Sequence, residues 1–173
     1  MEGNLRSFFF EKIKESAKMQ ELEIDLAIND YLAQLMSSQE YGFDILNKNI
    51  SLADLYMEAA SLGAISRYSR LGDLAMLRAG LFPEHINKVV GIKYHIDMAS
   101  AAYSTCFDMG KNLIYFNLSK NCSKYCDIMY GALHFDISND IIKLYQKNSN
   151  FENNFCKKRL IFLGFIINKD IFD

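Results

Sequence analysis

The sequence predicts an all-α protein. It reads as one α-helical domain over residues 1–173, a compact bundle of about seven or eight helices around a central charged-apolar helix at about 64–80. Three observations lead there. Apolar residues recur at spacings of three and four along most of the chain, which lines up one face of a helix. A single proline among 173 residues and scattered glycines leave few breaks. Helix start and stop residues stand at the ends of the periodic segments, and no segment repeats or is of low complexity.

Leu5, Phe8, Phe9 and Ile13 predict a short amphipathic opening helix. The next is better marked: Ile24, Ala27, Ile28, Tyr31, Leu32, Leu35 and Met36 form one stripe, with Glu23, Asp25, Asn29, Asp30 and Gln34 opposite. Residues 39–50 read as a connection. Ser51 starts a helix, with Asp54 three residues on as a variant capping box, and Gly63 ends it in the left-handed conformation. The central helix follows, with Gly80 as its predicted stop. Pro83 opens a short helix, because its missing N–H is not needed in a first turn. Gly91 precedes a helix over about Tyr94–Phe107, and residues 113–117 read as a loop or helix start, since a lone strand would have no partner. Further helices are predicted at about 123–135, 138–147 and 151–168.

A formal net charge of −2 argues against a nucleic-acid partner, which needs a basic face. The compact cluster Lys157, Lys158 and Arg159 fans round a helix and reads as a solvated face. The apolar run at Phe8–Phe10 is too short for a signal-peptide core of about 7–15 residues. Leu160–Ile167 is likewise short of the roughly 20 residues of a membrane span. A soluble cytoplasmic protein is expected, with no membrane partner. Cys106, Cys122, Cys126 and Cys156 then read as buried thiols, since no spacing among them suits a disulfide or a metal. The bias to Ile, Asn and Lys resembles that of AT-rich bacterial genomes.

The informative stretch is SRYSRLGDLAMLRAGLFPEHI at 66–86. On a wheel at about 100° per residue, Leu71, Leu74 and Leu81 share a sector with Arg67, Arg70 and Arg78. Ile65, Tyr68, Met76 and Ala79 lie roughly opposite, and the polar side holds Ser66 and Asp73. A helix apolar nearly all round is central in its fold, and charges there need partners. A structural ion-pair network is expected among Asp54, Glu58, Arg67, Arg70, Asp73, Arg78 and Glu84, with Arg70 on Asp73. The functional alternative leaves one guanidinium free for an anion, in a ligand site drawn from Arg67, Arg70, Arg78, His95 and Asp97.

His85, His95 and His134 offer no paired Glu-x-x-His segments, so no metal is expected. His95 and Asp97 are two apart and diverge on a helix. No nucleophile elbow, phosphate loop or dinucleotide fingerprint occurs, and no cofactor is expected. The leading expectation is a non-catalytic domain binding a protein or a small anionic ligand, with a homo-oligomer left open. The alternative is a small helical enzyme using a His/Asp/Arg pocket on an anionic substrate.

Leu71, Gly72, Asp73, Ala75, Gly80, Phe82, Pro83 and Glu84, followed by Tyr94, Ala102 and Tyr103, resemble a pattern of uncharacterised helical bacterial proteins. In these, Leu-Gly-Asp-x-Ala-Leu precedes Gly-x-Phe-Pro-Glu, an aromatic pair and a Gly/Ala-x-x-Ala-Tyr run. This chain departs from it with His95 at the second aromatic and Ala99 at a glycine. The resemblance implies a shared helical core and no particular reaction.

Overall fold

A computed structural model describes residues 2–134 except 39, 40, 42, 43, 46, 48, 49 and 87–89; the side chains of residues 2–4 and 84 are also outside the description. The helices predicted at 138–147 and 151–168, the 157–159 cluster and Cys156 lie outside the described residues. Eight helical elements run in order: α1 (Glu2–Met19), α2 (Leu26–Ser37), α3 (Leu52–Leu62), α4 (Ile65–Leu81), the single turn α5 (Pro83–Ile86), α6 (Ile92–Gly110), α7 (Leu113–Lys120) and α8 (Cys122–Leu133). The described residues contain no strand, and none of their helices is long and apolar enough to cross a membrane.

The helix ends follow local chemistry. Asp25, Ser51 and Asn112 each accept a backbone N–H of the helix they open, at 2.7, 3.3 and 2.9 Å. Gly63 closes α3 at φ 59°, a left-handed position where a β-carbon would be strained. Pro83 begins α5.

Helix α4 is the centre of the bundle: α3, α5, α6 and α8 pack on it, and α2 touches it. Every residue from Leu71 to Leu81 is buried. Helix α6 extends beyond the expected 94–107 at both ends, and two further boundaries differ from expectation. The opening helix runs to Met19 because its end is tied to α8: the buried side chains of Ser16 and of Gln20, just past the helix, donate to the carbonyls of Ile128 and Asp127 at 2.8 and 3.2 Å. Gly80 does not stop α4. It lies inside the helix, where an added β-carbon would stand 3.2 Å from Met129 Cβ and 3.4 Å from the Cys126 backbone, so it lets α8 approach closely.

Candidate functional site

Asp73 is buried on α4, not on a polar face, and three phenols converge on it. Tyr31 of α2 and Tyr103 of α6 donate to Oδ1 at 2.6 and 2.7 Å, and Tyr41, from the α2–α3 connection, donates to Oδ2 at 2.9 Å. Charge-assisted bonds of this kind are what offset the desolvation of a carboxylate. Tyr115 of α7 stacks on Tyr103 with ring centres 6.0 Å apart. Burial first, and then the Asp73 charge, push the Tyr31 and Tyr103 phenols far above their ordinary range, so both stay protonated as donors. Gly72 makes room: a β-carbon there would meet Tyr103 Cε1 at 2.8 Å. Gly72, Asp73 and Tyr103 are thus one packed unit.

The expected ion-pair network is drawn differently by the structure. Arg67 reaches Glu58 at 3.1 Å, with both side chains about half exposed. The Arg70–Asp73 pairing is replaced: Arg70 Nη2 donates to Asp44 Oδ2 at 2.8 Å. Positions three apart differ by about 60° on the wheel, and that turns Asp73 inward to the phenols while Arg70 faces the surface. Asp54 is exposed and, among the described residues, pairs with no arginine; its backbone N–H donates to Ser51 Oγ at 3.3 Å. The Glu84 side chain lies outside the described set.

Arg78 has the unusual arrangement. It is only 7% exposed and, among the described residues, makes no ion pair within 4 Å. Its guanidinium instead donates to four carbonyls of the α2–α3 connection. Nε reaches Ile45 at 2.9 Å, Nη1 reaches Ile50 at 3.0 Å, and Nη2 reaches Asp44 and Asn47 at 2.9 and 3.0 Å. A guanidinium has five N–H groups. One on Nη1 has no partner among the described residues. Burial pulls the Arg78 pKa down, and the nearby Asp44 charge pulls it back up.

Beside Arg78 opens a pocket of about 280 Å³. Its apolar walls are Ile45, Ile50, Leu52, Ile86 and Val90, and its polar lining includes His85, Tyr94 and His95. His95 is buried, with Nδ1 3.1 Å from the Gly91 carbonyl and its ring edge-on to Tyr94. Burial lowers its pKa below the ordinary 6.5, and the Arg78 charge lowers it further, against the Gly91 bond.

Of the five residues expected in a ligand site, the structure brings Arg78 and His95 together. Asp97 is exposed on another face of α6, bonded to Lys93 at 2.7 Å. Arg67 and Arg70 line a separate open surface cleft with Tyr41, Ser69 and Tyr115. His134 packs on Tyr130, with ring centres 4.3 Å apart. No group of three or more His, Cys, Asp or Glu among the described residues could hold a metal, and Cys106, Cys122 and Cys126 are buried and unbridged.

The sequence reading missed Tyr31, Tyr41 and Asp44. A buried tyrosine needs a partner for its hydroxyl, so Tyr31 within an apolar stripe was a usable signal. Comparison with known proteins finds no matching family model, no matching curated protein and no matching solved structure.

Proposed function

We propose that this is a non-catalytic binding domain whose α4–α5–α6 pocket takes a small, mainly apolar molecule ending in a carboxylate. The observation that carries this reading is Arg78: a buried cation that, among the described residues, has no ion-paired carboxylate and is open to an apolar pocket. Apolar walls with a few convergent polar groups are the usual composition of a small-molecule site. A carboxylate suits it better than a phosphate because one guanidinium N–H remains, too few for a dianion that needs several donors. The volume, near the lower end of small-molecule pockets, suits a small ligand. The enzyme reading loses support because Asp97 and His95 face apart. The cytoplasmic location and the kinship with helical bacterial proteins belong to the same proposal.

Hexanoate and hexanol, equal in chain length and different in charge, test it. Hexanoate at a hundred times its Kd adds about 2.7 kcal/mol of stability, a rise in Tm of roughly 5–10 °C for a chain of this size. Hexanol gives a smaller rise, and Val90→Trp, at an exposed position on the pocket wall, abolishes both. Equal effects of the acid and the alcohol, or an effect indifferent to Val90→Trp, would refute the reading.

A further inference from the structure

The Gly91 carbonyl can only accept a hydrogen bond, so the proton shared with His95 sits on Nδ1. Gly91 holds φ 87° and ψ 148°, a backbone conformation that side chains rarely adopt, and this aims its carbonyl at the ring one turn ahead. A neutral imidazole protonated on Nδ1 presents a lone pair at Nε2. Among the described residues no hydrogen bond engages that nitrogen, and His95 lines the pocket beside Arg78.

The pocket therefore offers a ligand one cationic N–H and one lone pair. A carboxylate drawn to Arg78 meets that lone pair, and the two repel. A proton on Nε2 turns the repulsion into a second charge-assisted hydrogen bond. We infer that a carboxylate ligand enters this pocket together with one proton, which leaves the solvent and bonds to Nε2 of His95. This rests on the pocket reading above. No other bond forms or breaks. Among the described residues, the titratable groups that line the pocket with His95 are Arg78 from α4, His85 from α5 and Tyr94 from α6; the α2–α3 connection adds Asn47 and Ser51, and its Asp44 carboxylate is held by Arg70. Burial first, and then the Arg78 charge, disfavour the imidazolium. A carboxylate's charge offsets that of Arg78, so ligand and proton each favour the other's binding.

The test titrates the full chain with hexanoate and octanoate by calorimetry, in two buffers of different ionisation enthalpy. Protons are taken up on binding, up to one per ligand, and affinity falls with rising pH, by up to about tenfold per unit, between the His95 pKa of the free protein and that of the complex. Nitrogen-15 NMR of the His95 ring shows Nε2 gaining a proton on saturation. His95→Gln, whose amide can donate from the position of Nε2, binds without proton uptake. Binding by the wild type with no proton taken up overturns this inference and leaves the pocket reading standing, as does uptake that survives in His95→Gln. No binding of either acid overturns both.

Discussion

Replacing Asp73 by Asn keeps the shape of the side chain and removes the charge on which three phenols converge. Oδ1 accepts from Tyr31 and Tyr103, and Oδ2 from Tyr41. Asparagine keeps one acceptor oxygen. Its amide N–H groups must face a phenol that was itself donating, so that hydroxyl turns round or goes unpaired. Hydrogen bonds to a charged group contribute about 1.5–3 kcal/mol against about 0.5–1.5 for neutral ones, and an orphaned buried donor costs about 1–3. Weakening two bonds and disrupting the third sums to roughly 3–6 kcal/mol. Relief from desolvating the carboxylate offsets part of this, which leaves a net loss of about 2–4 kcal/mol. A thermal melt followed by circular dichroism reads that as a Tm lower by about 4–16 °C. Tyr103→Phe, which deletes one hydroxyl and keeps the ring, falls between the two proteins. An Asp73→Asn variant that melts at or above the wild type would show the buried charge to be a net burden and refute the reasoning.

Other substitutions separate surface from interior. Arg70→Met costs no more than about 1 kcal/mol, because it breaks a half-exposed pair with Asp44 and leaves Asp73 untouched; a loss in urea denaturation as large as that of Asp73→Asn would count against the assigned partners. Gly80→Ala gains about 1 kcal/mol of helix propensity, yet crowding against Met129 and Cys126 costs about 1–3. The same denaturation assay should show a neutral to destabilising change, and a gain near 1 kcal/mol would mean α8 yields freely. His95 has a folded pKa below its ordinary 6.5, so as pH falls through 6.5 the unfolded chain binds the proton first. Stability contributed by His95 is therefore present above pH 6.5 and lost below it. His95→Gln should flatten the Tm profile on the acid side of that value, and an unchanged profile would assign the acid loss to other groups.

The sequence made the helices legible because their signals are local. Ser51, Gly63, Pro83 and Gly91 mark boundaries through backbone needs that depend on a few neighbours. The central place of α4 was legible too, from apolar residues spread round its circumference. The partners of its charges were not. Spacing shows that Arg70 and Asp73 can meet, but not that three hydroxyls from 30, 32 and 42 positions away compete for the same carboxylate. Arg78 was harder still, because its partners are backbone carbonyls, which every residue carries. Gly80 illustrates the same limit: a glycine that admits a neighbouring helix looks, in one dimension, like a glycine that ends its own.

The phenol cluster around Asp73 also has an optical consequence. The chain has ten tyrosines and no tryptophan, so its near-ultraviolet emission comes from phenols. An excited phenol is a far stronger acid than one in its ground state, and Tyr31, Tyr41 and Tyr103 each point their proton at a carboxylate oxygen. Excited-state proton transfer to Asp73 should therefore quench these three while the cluster is intact, and their emission should return when it comes apart. The folded protein thus reports on its own centre, with no label added, through light it fails to emit.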